Sequence, residues 1–247
     1  MIALRRFAGE EAWLAAIEAD FLETLRATAP GPATLCLAGG STPGPAYRRL
    51  AAALLRYGSL PMHRSQQALL VVGDERDGSV DKRSRNDESL REAWHEALAS
   101  GRATLIRWGR SPAEPLAMER HLAELARSRL AGWPLFDLCY LGLGADGHTA
   151  GLFPGDAEVH AASGAQLEPG AAGPKGAAAA RALRGRAPDY PYERLSLSYA
   201  TLRSSGKTRF LVRSPGKEAA LAALAANDPS CPAVRAASAD ALAFVLD

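Results

Sequence analysis

The sequence FDLCYLGLGADGH, residues 136–148, joins an apolar run to a glycine-rich turn that ends in a histidine. Residues 136–141 are short and apolar enough to predict a buried β-strand. Gly142, Gly144 and Gly147 then indicate a tight backbone that leaves room for a ligand. A strand that runs directly into such a loop is typical of an open parallel sheet, in which ligands bind beyond the carboxyl ends of the strands.

The same pattern of apolar strand, loop and helix recurs along the chain. Strands are also predicted at residues 34–38, 68–72, 103–108, 194–199, 208–213 and 241–246, and helices at residues 11–27, 45–57, 86–98, 115–130 and 217–226. This alternation predicts a single α/β domain over residues 1–247, doubly wound, with a mostly parallel sheet and helices on both faces. Residues 156–190 are rich in Ala, Gly and Pro without periodicity, which predicts an irregular segment, either a long loop or part of a small second lobe.

Composition and charge exclude several classes of function. The net charge of +2 is too small for the concentrated basic face that nucleic acids require. No apolar run approaches the roughly 18 residues of a membrane span, and the charged N-terminus is unlike a signal peptide. Cys36, Cys139 and Cys231 are far apart and odd in number, which predicts buried free thiols. We therefore expect a cytoplasmic protein that binds neither nucleic acid nor membranes.

The loop GGSTP at residues 39–43 follows a predicted strand and precedes a predicted helix. Gly39 and Gly40 allow the backbone to approach an anion closely, while Ser41 and Thr42 can donate hydroxyl hydrogen bonds. The N-terminus of the helix adds free N–H groups and a positive dipole end. The loop is therefore either a phosphate cradle or a simple tight turn. Because it lacks the lysine of a nucleotide P-loop, a nucleoside triphosphate is not expected.

A second strand end, at residues 73–76, carries Asp74, Glu75 and Arg76. The guanidinium of Arg76 matches the oxygens of a phosphate or of a developing oxyanion. The alternative is an exposed turn that holds a local ion pair. Arg194 and Lys217 also stand at the starts of predicted elements, where each is either a phosphate ligand or a solvated charge.

The third loop carries Asp146 and His148, an acid and an imidazole two residues apart. Imidazole as a group titrates near neutral pH, which suits a general base acting on water. The loop leads into Phe153 and not into a long helix, so it is a poor dinucleotide fingerprint. No residues have zinc-ligand spacing. The other histidines are interpreted as ordinary surface or core residues: His63, His95, His121 and His160.

Together these residues resemble the 6-phosphogluconolactonases. The matching stretches, in the family's order, are residues 37–43, 73–76, 86, 136–150, 152–155, 194–197 and 216–217. The resemblance implies hydrolysis of 6-phospho-D-glucono-1,5-lactone to 6-phospho-D-gluconate in the pentose phosphate pathway, without a metal or other cofactor. It also implies a fold shared with the glucosamine-6-phosphate deaminases/isomerases.

Two other functions stay open. The deaminases typically have a tyrosine at the position of Arg76 and a carboxylate shortly after the histidine, where residues 149–155 read TAGLFPG. A sugar-phosphate sensor without turnover is the second alternative. The chain also departs from the lactonase pattern, with Gly151 and Arg85 each at a position where serine is usual. In addition, residues 156–190 lack the expected apolar, Trp-containing stretch.

The sequence therefore predicts a metabolic enzyme acting on a small-molecule substrate, as a monomer or a weak homodimer. We expect His148 to act as general base, with Asp146 either orienting it or binding a sugar hydroxyl, and with Arg76 facing the oxyanion or the phosphate. The residues expected to bind the substrate or its phosphate are Gly39, Gly40, Ser41, Thr42, Asp74, Arg194 and Lys217.

Overall fold

The computed structural model describes residues 1–59, 66–77, 81, 85–110, 114–129, 133–155, 181–187 and 192–247. In this part of the chain the strands are β1 Ala3–Phe7, β2 Ala33–Leu37, β3 Ala68–Val72, β4 Asp74–Arg76, β5 Ala103–Ile106, β6 Leu138–Leu141, β7 Ala182–Gly185, β8 Arg194–Leu197, β9 Lys207–Arg213 and β10 Ala241–Leu246. The helices are α1 Glu10–Thr28, α2 Gly44–Ser59, α3 Asn86–Ala93, α4 His95–Ala99, α5 Leu116–Ser128, α6 Tyr199–Arg203, α7 Glu218–Ala226 and α8 Pro232–Ala236.

Seven strands form one sheet in the order β1-β10-β9-β6-β2-β3-β5, and every neighbouring pair in it is parallel. Helices surround this sheet, so the predicted α/β class is confirmed. The central strands β2 and β6 are buried along their whole length. Burial on both faces explains why these strands read as continuous apolar runs without alternation.

Helix α1 shows how the sequence pattern produces the packing. Trp13, Ile17, Phe21 and Leu25 recur every fourth residue, and all four are fully buried. They line one face of the helix because four residues complete about one turn. The indole N–H of Trp13 donates to the carbonyl of Phe244, 3.0 Å away, so its polar atom is satisfied inside the core.

The order β6-β2-β3 brings the three loops of interest to one edge of the sheet, as predicted. Ala38, just after β2, donates its N–H to the carbonyl of Tyr140 at 2.9 Å. On the other side Gly73, just after β3, donates to the carbonyl of Leu37 at 2.9 Å. The loops after β2, β3 and β6 therefore leave neighbouring strand ends.

A second, antiparallel sheet of β4, β8 and β7 stands beside the first. The sequence predicted residues 74–76 as a loop, but they form strand β4 after the single residue Gly73. Residues 182–185, inside the segment predicted to be irregular, form strand β7. The remainder of that segment, residues 156–180 and 188–190, lies outside the described residues.

The predicted helix at residues 86–98 is divided in two at Trp94. Its backbone angles, φ −106° and ψ 13°, are not helical, and its side chain is fully buried. Burial of the indole therefore takes precedence over local helix propensity at this point. Within the described ranges, no helix is both long and apolar enough to span a membrane.

Candidate functional site

A cavity of about 360 Å³ opens beyond the carboxyl ends of β2, β3 and β6. Nine of the ten residues singled out from the sequence line it: Gly39, Gly40, Ser41, Thr42, Asp74, Arg76, His148, Arg194 and Lys217. The tenth, Asp146, does not line the cavity but contacts His148 directly. The structure thus brings together residues that are up to 178 positions apart in the sequence.

The glycine loop lies tightly against the start of α3. A Cβ atom on residue 39 would lie 1.9 Å from Cγ of Asn86, so only glycine fits there. Gly40 has a φ of +99°, which also favours glycine. The hydroxyl of Tyr47 donates to the carbonyl of Ala38 at 2.8 Å and ties the loop to α2. This backbone is therefore fixed before any ligand arrives.

The loop after β6 is closed by its own backbone. Gly144 donates its N–H to the carbonyl of His148 at 2.8 Å, and Gly147 donates to the carbonyl of Gly144 at 3.1 Å. Gly147 has a φ of +86°. A Cβ atom on residue 144 would lie 2.1 Å from Nδ1 of His148, so the imidazole needs the glycine beside it.

The imidazole of His148 has two defined neighbours. Its Nδ1 lies 2.6 Å from Oδ1 of Asp146, and its ring is 4.5 Å from the ring of Phe153 at an angle of 30°. An ionised carboxylate can only accept a hydrogen bond, so a proton on Nδ1 would satisfy this contact and leave the lone pair on Nε2. This is the arrangement that general-base catalysis by a histidine requires.

The small sheet delivers two guanidinium groups to the cavity. Arg76 on β4 and Arg194 on β8 are directly opposite each other in the antiparallel pair. Arg194 donates to the carbonyl of Tyr192 at 2.6 Å, and its Cζ lies 5.8 Å from the centre of the Phe153 ring. Phe153 therefore contacts both Arg194 and His148.

The carboxyl group of Asp74 lies among these positive groups. Its residue is 7% exposed, and burial raises the pKa of Asp74 above its usual value. Arg76, Arg194 and His148 act in the opposite direction and favour the ionised form. Asp74 thus offsets part of the positive charge in the cavity.

Lys217 precedes helix α7 and reaches the loop after β6. Its Nζ donates to the carbonyl of Leu143, and its burial lowers the pKa of the ammonium group below the usual lysine value. The ammonium group shares the cavity with the glycine loop. An anion held there would be near both a positive charge and free backbone N–H groups.

Asn86 and Phe153 also line the cavity, although neither was assigned a role from the sequence. Asn86 accepts a hydrogen bond from Arg76 through Oδ1 and donates to the carbonyl of Asp74 at 2.8 Å. Asn86 stands at the start of a predicted helix, after a polar loop, and this position was the sequence feature that could have indicated a role in the site. Phe153 lies in the stretch 152–155 that matches the resembling family, but an apolar residue in a loop indicates only ordinary packing.

Gly151, where serine is usual in the resembling family, is explained by the packing of β8. A Cβ atom on residue 151 would lie 2.7 Å from Cβ of Arg194 and 2.9 Å from Cβ of Ser196. The backbone N–H of Gly151 donates to the hydroxyl of Ser196 at 3.1 Å. Glycine therefore lets β8 lie directly against the histidine loop.

In the part of the chain that the structure describes, no group of three or more His, Cys, Asp or Glu side chains could hold a metal ion.

Comparison with known proteins places this architecture in a family. The family model described as glucosamine-6-phosphate isomerases/6-phosphogluconolactonase matches residues 8–244. The chain belongs to this family. It is 33% identical to a 6-phosphogluconolactonase of Pseudomonas putida over 232 residues, 92% of this chain and 85% of the relative. A 6-phosphogluconolactonase of Synechocystis is 35% identical over 128 residues, so that match spans about half the length of each protein.

Solved structures with the same fold include a 6-phosphogluconolactonase from Shewanella baltica, with a TM-score of 0.72 and 21% identity over 98% of this chain and 97% of that one. The 6-phosphogluconolactonase from Trypanosoma brucei gives a TM-score of 0.72 and 21% identity, covering 100% and 96%. A monomeric glucosamine-6-phosphate deaminase gives 0.64 and 17% identity, covering 100% and 97%. Two different activities therefore occur on this fold, so the fold does not indicate which one this chain has. The residues of the site have to be compared with the chemistry of each reaction.

Proposed function

We propose that the chain hydrolyses 6-phospho-D-glucono-1,5-lactone to 6-phospho-D-gluconate, the reaction named for its relatives. One observation carries the proposal: His148, whose Nδ1 contacts Asp146, lines the same cavity as the glycine loop and Lys217. The imidazole supplies a base for water, and the loop and ammonium group supply a site for a phosphate. A phosphorylated sugar lactone has a carbonyl at one end and a phosphate at the other. The carbonyl would lie at the imidazole and the phosphate at the glycine loop and the ammonium group.

The phosphate end is assigned to the glycine loop, with Ser41 and Thr42 as hydroxyl donors and Lys217 and Arg194 as positive charges. Binding energy gained at this end holds the remote lactone carbonyl in a fixed orientation. Because the glycine loop is already fixed by Tyr47 and Asn86, little ordering is needed when the substrate binds.

At the other end, His148 removes a proton from water through Nε2, and the water oxygen bonds to the lactone carbonyl carbon. The carbonyl oxygen becomes an oxyanion, for which Arg76 is the proposed partner. When the tetrahedral species collapses, the bond to the ring oxygen breaks, and the imidazolium returns the proton to that oxygen. Asp146 holds Nδ1–H throughout and stabilises the imidazolium while it exists.

Asp74 is proposed to bind the substrate, since it lines the same cavity as Arg76 and Arg194 and is influenced by the charge of both. A carboxylate there can accept hydrogen bonds from sugar hydroxyls. Its negative charge also prevents the two arginines from presenting an unbalanced positive pair to the substrate.

The composition of the histidine loop favours the lactonase over the deaminase. Residues 149–155 contain no Asp or Glu, so the loop offers no carboxylate after His148 to assist opening of an amino sugar. Lactone hydrolysis needs only a base for water and a donor for the leaving oxygen, and the paired imidazole serves both steps.

The test is a coupled assay in which the lactone is generated freshly from glucose 6-phosphate and the product is oxidised by 6-phosphogluconate dehydrogenase. We expect the wild-type rate to exceed spontaneous hydrolysis clearly and the rate of His148→Ala to fall about 10²–10⁴-fold. Ammonia release from glucosamine 6-phosphate is measured in parallel. Release of ammonia without lactone hydrolysis would support a deaminase, and ligand-dependent thermal stabilisation without either reaction would support a sensor.

We propose that the chain works in the cytoplasm, as a monomer or a weak homodimer. The three cysteines are buried and free in the structure, which suits a reducing compartment.

A further inference from the structure

Glu75 is a buried carboxylate just outside the cavity. It is fully buried, on strand β4 between Asp74 and Arg76. Its Oε1 accepts the backbone N–H groups of Arg76 and Asn86, and its Oε2 accepts that of Asp87, each at 2.9 Å. The two N–H groups of α3 lie in the first turn of that helix, which has no side-chain cap of its own. Glu75 therefore supplies the missing acceptor from a different strand.

A buried guanidinium compensates the charge of Glu75. Arg85, whose side chain is 3% exposed, has Nη2 at 3.6 Å from Oε2 of Glu75 and Nε at 2.9 Å from Oδ1 of Asp87. It also donates to the carbonyl of Trp108 at 3.1 Å. Nη1 of Arg107 lies 3.7 Å from Oδ2 of Asp87. This cluster accounts for Arg85 at a position where the resembling family usually has serine.

The contacts of Glu75 continue into the site. The residue next to it, Arg76, donates from Nη1 to the side chain of Asn86, and Asn86 is the residue whose N–H Glu75 holds. Asn86 in turn lies so close to Gly39 that no Cβ atom fits between them. A single carboxylate thus joins β4, the start of α3 and, through Asn86, the glycine loop.

We propose that Glu75 is a positioning residue that fixes the Arg76 guanidinium in the cavity by tying β4 to the first turn of α3. The inference rests on the proposed function, because the importance of Arg76 is measured through lactone hydrolysis or ligand binding. Glu75 does not line the cavity and touches no substrate, so its effect passes entirely through Arg76 and Asn86.

The role needs a carboxylate, not only a polar side chain. A glutamine of the same shape keeps one acceptor oxygen, so at least one of the three N–H groups would lose its partner. Arg85 would lose one of its two balancing charges. Burial raises the pKa of Glu75 to about 7, while the three N–H groups and Arg85 act in the opposite direction. The three hydrogen bonds and the contact with Arg85 therefore offset part of the free-energy cost of burying an ionised carboxylate. Such a cost is expected where the carboxylate is needed to fix the geometry.

The test is a double-mutant cycle on Glu75→Gln and Arg76→Ala, with kcat/KM for the lactone as readout. In the wild-type background we expect Glu75→Gln to lower kcat/KM about 10²-fold, the usual cost of a small displacement near the reacting atoms. In the Arg76→Ala background the same change should cost less than about threefold, since its target is gone. Equal losses in both backgrounds would overturn the proposal, because a general structural role is additive.

The matched control is Glu18→Gln. Glu18 also has a largely buried side chain, 15% exposed, and pairs with two arginines, Arg49 and Arg56, but it lies on α1 away from the cavity. We expect kcat/KM of this variant to remain within about twofold of wild type. If Glu75→Gln does not fold, the same cycle is run with Glu75→Asp, which keeps the charge but shortens the reach, and additive losses there overturn the proposal equally.

A parallel cycle measures the dissociation constant of 6-phosphogluconate by calorimetry. It separates this proposal from the proposed function: absence of lactone hydrolysis by the wild type counts against the function only. Coupling of the two substitutions in binding supports the positioning role in either case, and additive effects on binding contradict it.

Discussion

Oδ1 of Asp146 accepts two hydrogen bonds from the same residue, one from Nδ1 of His148 at 2.6 Å and one from its backbone N–H at 3.0 Å. We propose that the carboxylate orients the ring and selects its tautomer. We predict that Asp146→Asn lowers kcat about 10²–10⁴-fold with little change in KM, because an amide can donate to Nδ1 and leave the proton on the wrong nitrogen. Steady-state kinetics with freshly generated lactone measure both constants.

Asp228→Asn is a closely matched control for this change. Oδ1 of Asp228 likewise accepts the backbone N–H of the residue two positions on, Ser230, at 2.8 Å, but it is exposed. Its substitution should leave kcat within about twofold of wild type. Equal kcat values for the Asp146→Asn variant and this control would exclude an orienting role for Asp146.

Lys217→Ala should act mainly on KM. A hydrogen bond to a charged group contributes roughly 1.5–3 kcal/mol, so the loss of the ammonium group should raise KM about 10–100-fold while kcat changes little. Since burial lowers the pKa of Lys217, KM of the wild type should begin to rise at a lower pH than ordinary lysine titration would give. Lys207→Ala, on the exposed pair with Glu23, is the control. A fall in kcat alone would argue against phosphate binding by Lys217.

Gly39→Ala tests the contact between the glycine loop and α3. The added methyl group would lie 1.9 Å from Cγ of Asn86, so the loop or the helix has to move. We expect a loss of about 1–3 kcal/mol in the free energy of unfolding, the usual cost of overpacking, together with a fall in kcat/KM of at least tenfold. Gly9→Ala, where nothing lies within 4 Å, should leave kcat/KM within about twofold of wild type. An active, fully stable Gly39→Ala protein would contradict the close contact.

Gly151→Ser introduces the residue that is usual in the resembling family. Its Cβ atom would meet Cβ of Arg194 and of Ser196, so β8 has to shift away from the histidine loop. We predict a loss of about 1–3 kcal/mol in the free energy of unfolding and a higher KM, because Arg194 moves with its strand. Denaturant unfolding and kinetics measure the two effects. A serine variant as stable as wild type would show that β8 has freedom to adjust.

Glu75 should leave a signature in the pH dependence of folding. Its pKa is about 7 in the folded chain and near 4.5 as an ordinary glutamate, so the folded state binds the proton more tightly. The resulting stabilisation is complete below about pH 4.5 and is lost as the pH rises to about 7. The difference in unfolding free energy between wild type and Glu75→Gln should therefore shrink over this range. A difference that grows with pH would contradict a raised pKa.

The helices and the strands of the parallel sheet were predicted well from the sequence, because they depend on the local spacing of apolar residues. The four-residue spacing in α1 and the apolar run of β6 are readable without any knowledge of neighbours. The convergence of three loops followed from the parallel sheet alone. Most of the residues placed at the cavity from the sequence are glycines, hydroxyl groups or charged groups of those loops, whose chemistry can be recognised without knowledge of their neighbours. Arg194 and Lys217 lie outside the three loops.

The antiparallel pairing of β4 with β8 was not predicted, although a strand at residues 194–199 and a small second lobe were considered, and the reason is physical. Strand β4 has only three residues, and its partner β8 is about 120 positions away, so no local pattern marks the pairing. The cluster of Glu75, Arg85 and Asp87 was equally invisible, since charged residues in a polar stretch normally indicate solvent exposure. Only the packing of α3 against β4 shows that they are buried together.

The direct opposition of Arg76 and Arg194 has a further consequence. Like charges placed opposite each other on neighbouring strands repel, and Asp74 is the carboxylate that offsets them inside the cavity. We infer that this opposition lowers folding stability, and that binding of an anion between the two arginines would offset the repulsion. Replacing either arginine by a neutral residue should then raise the stability of the protein without ligand and reduce the additional stabilisation that an anion gives.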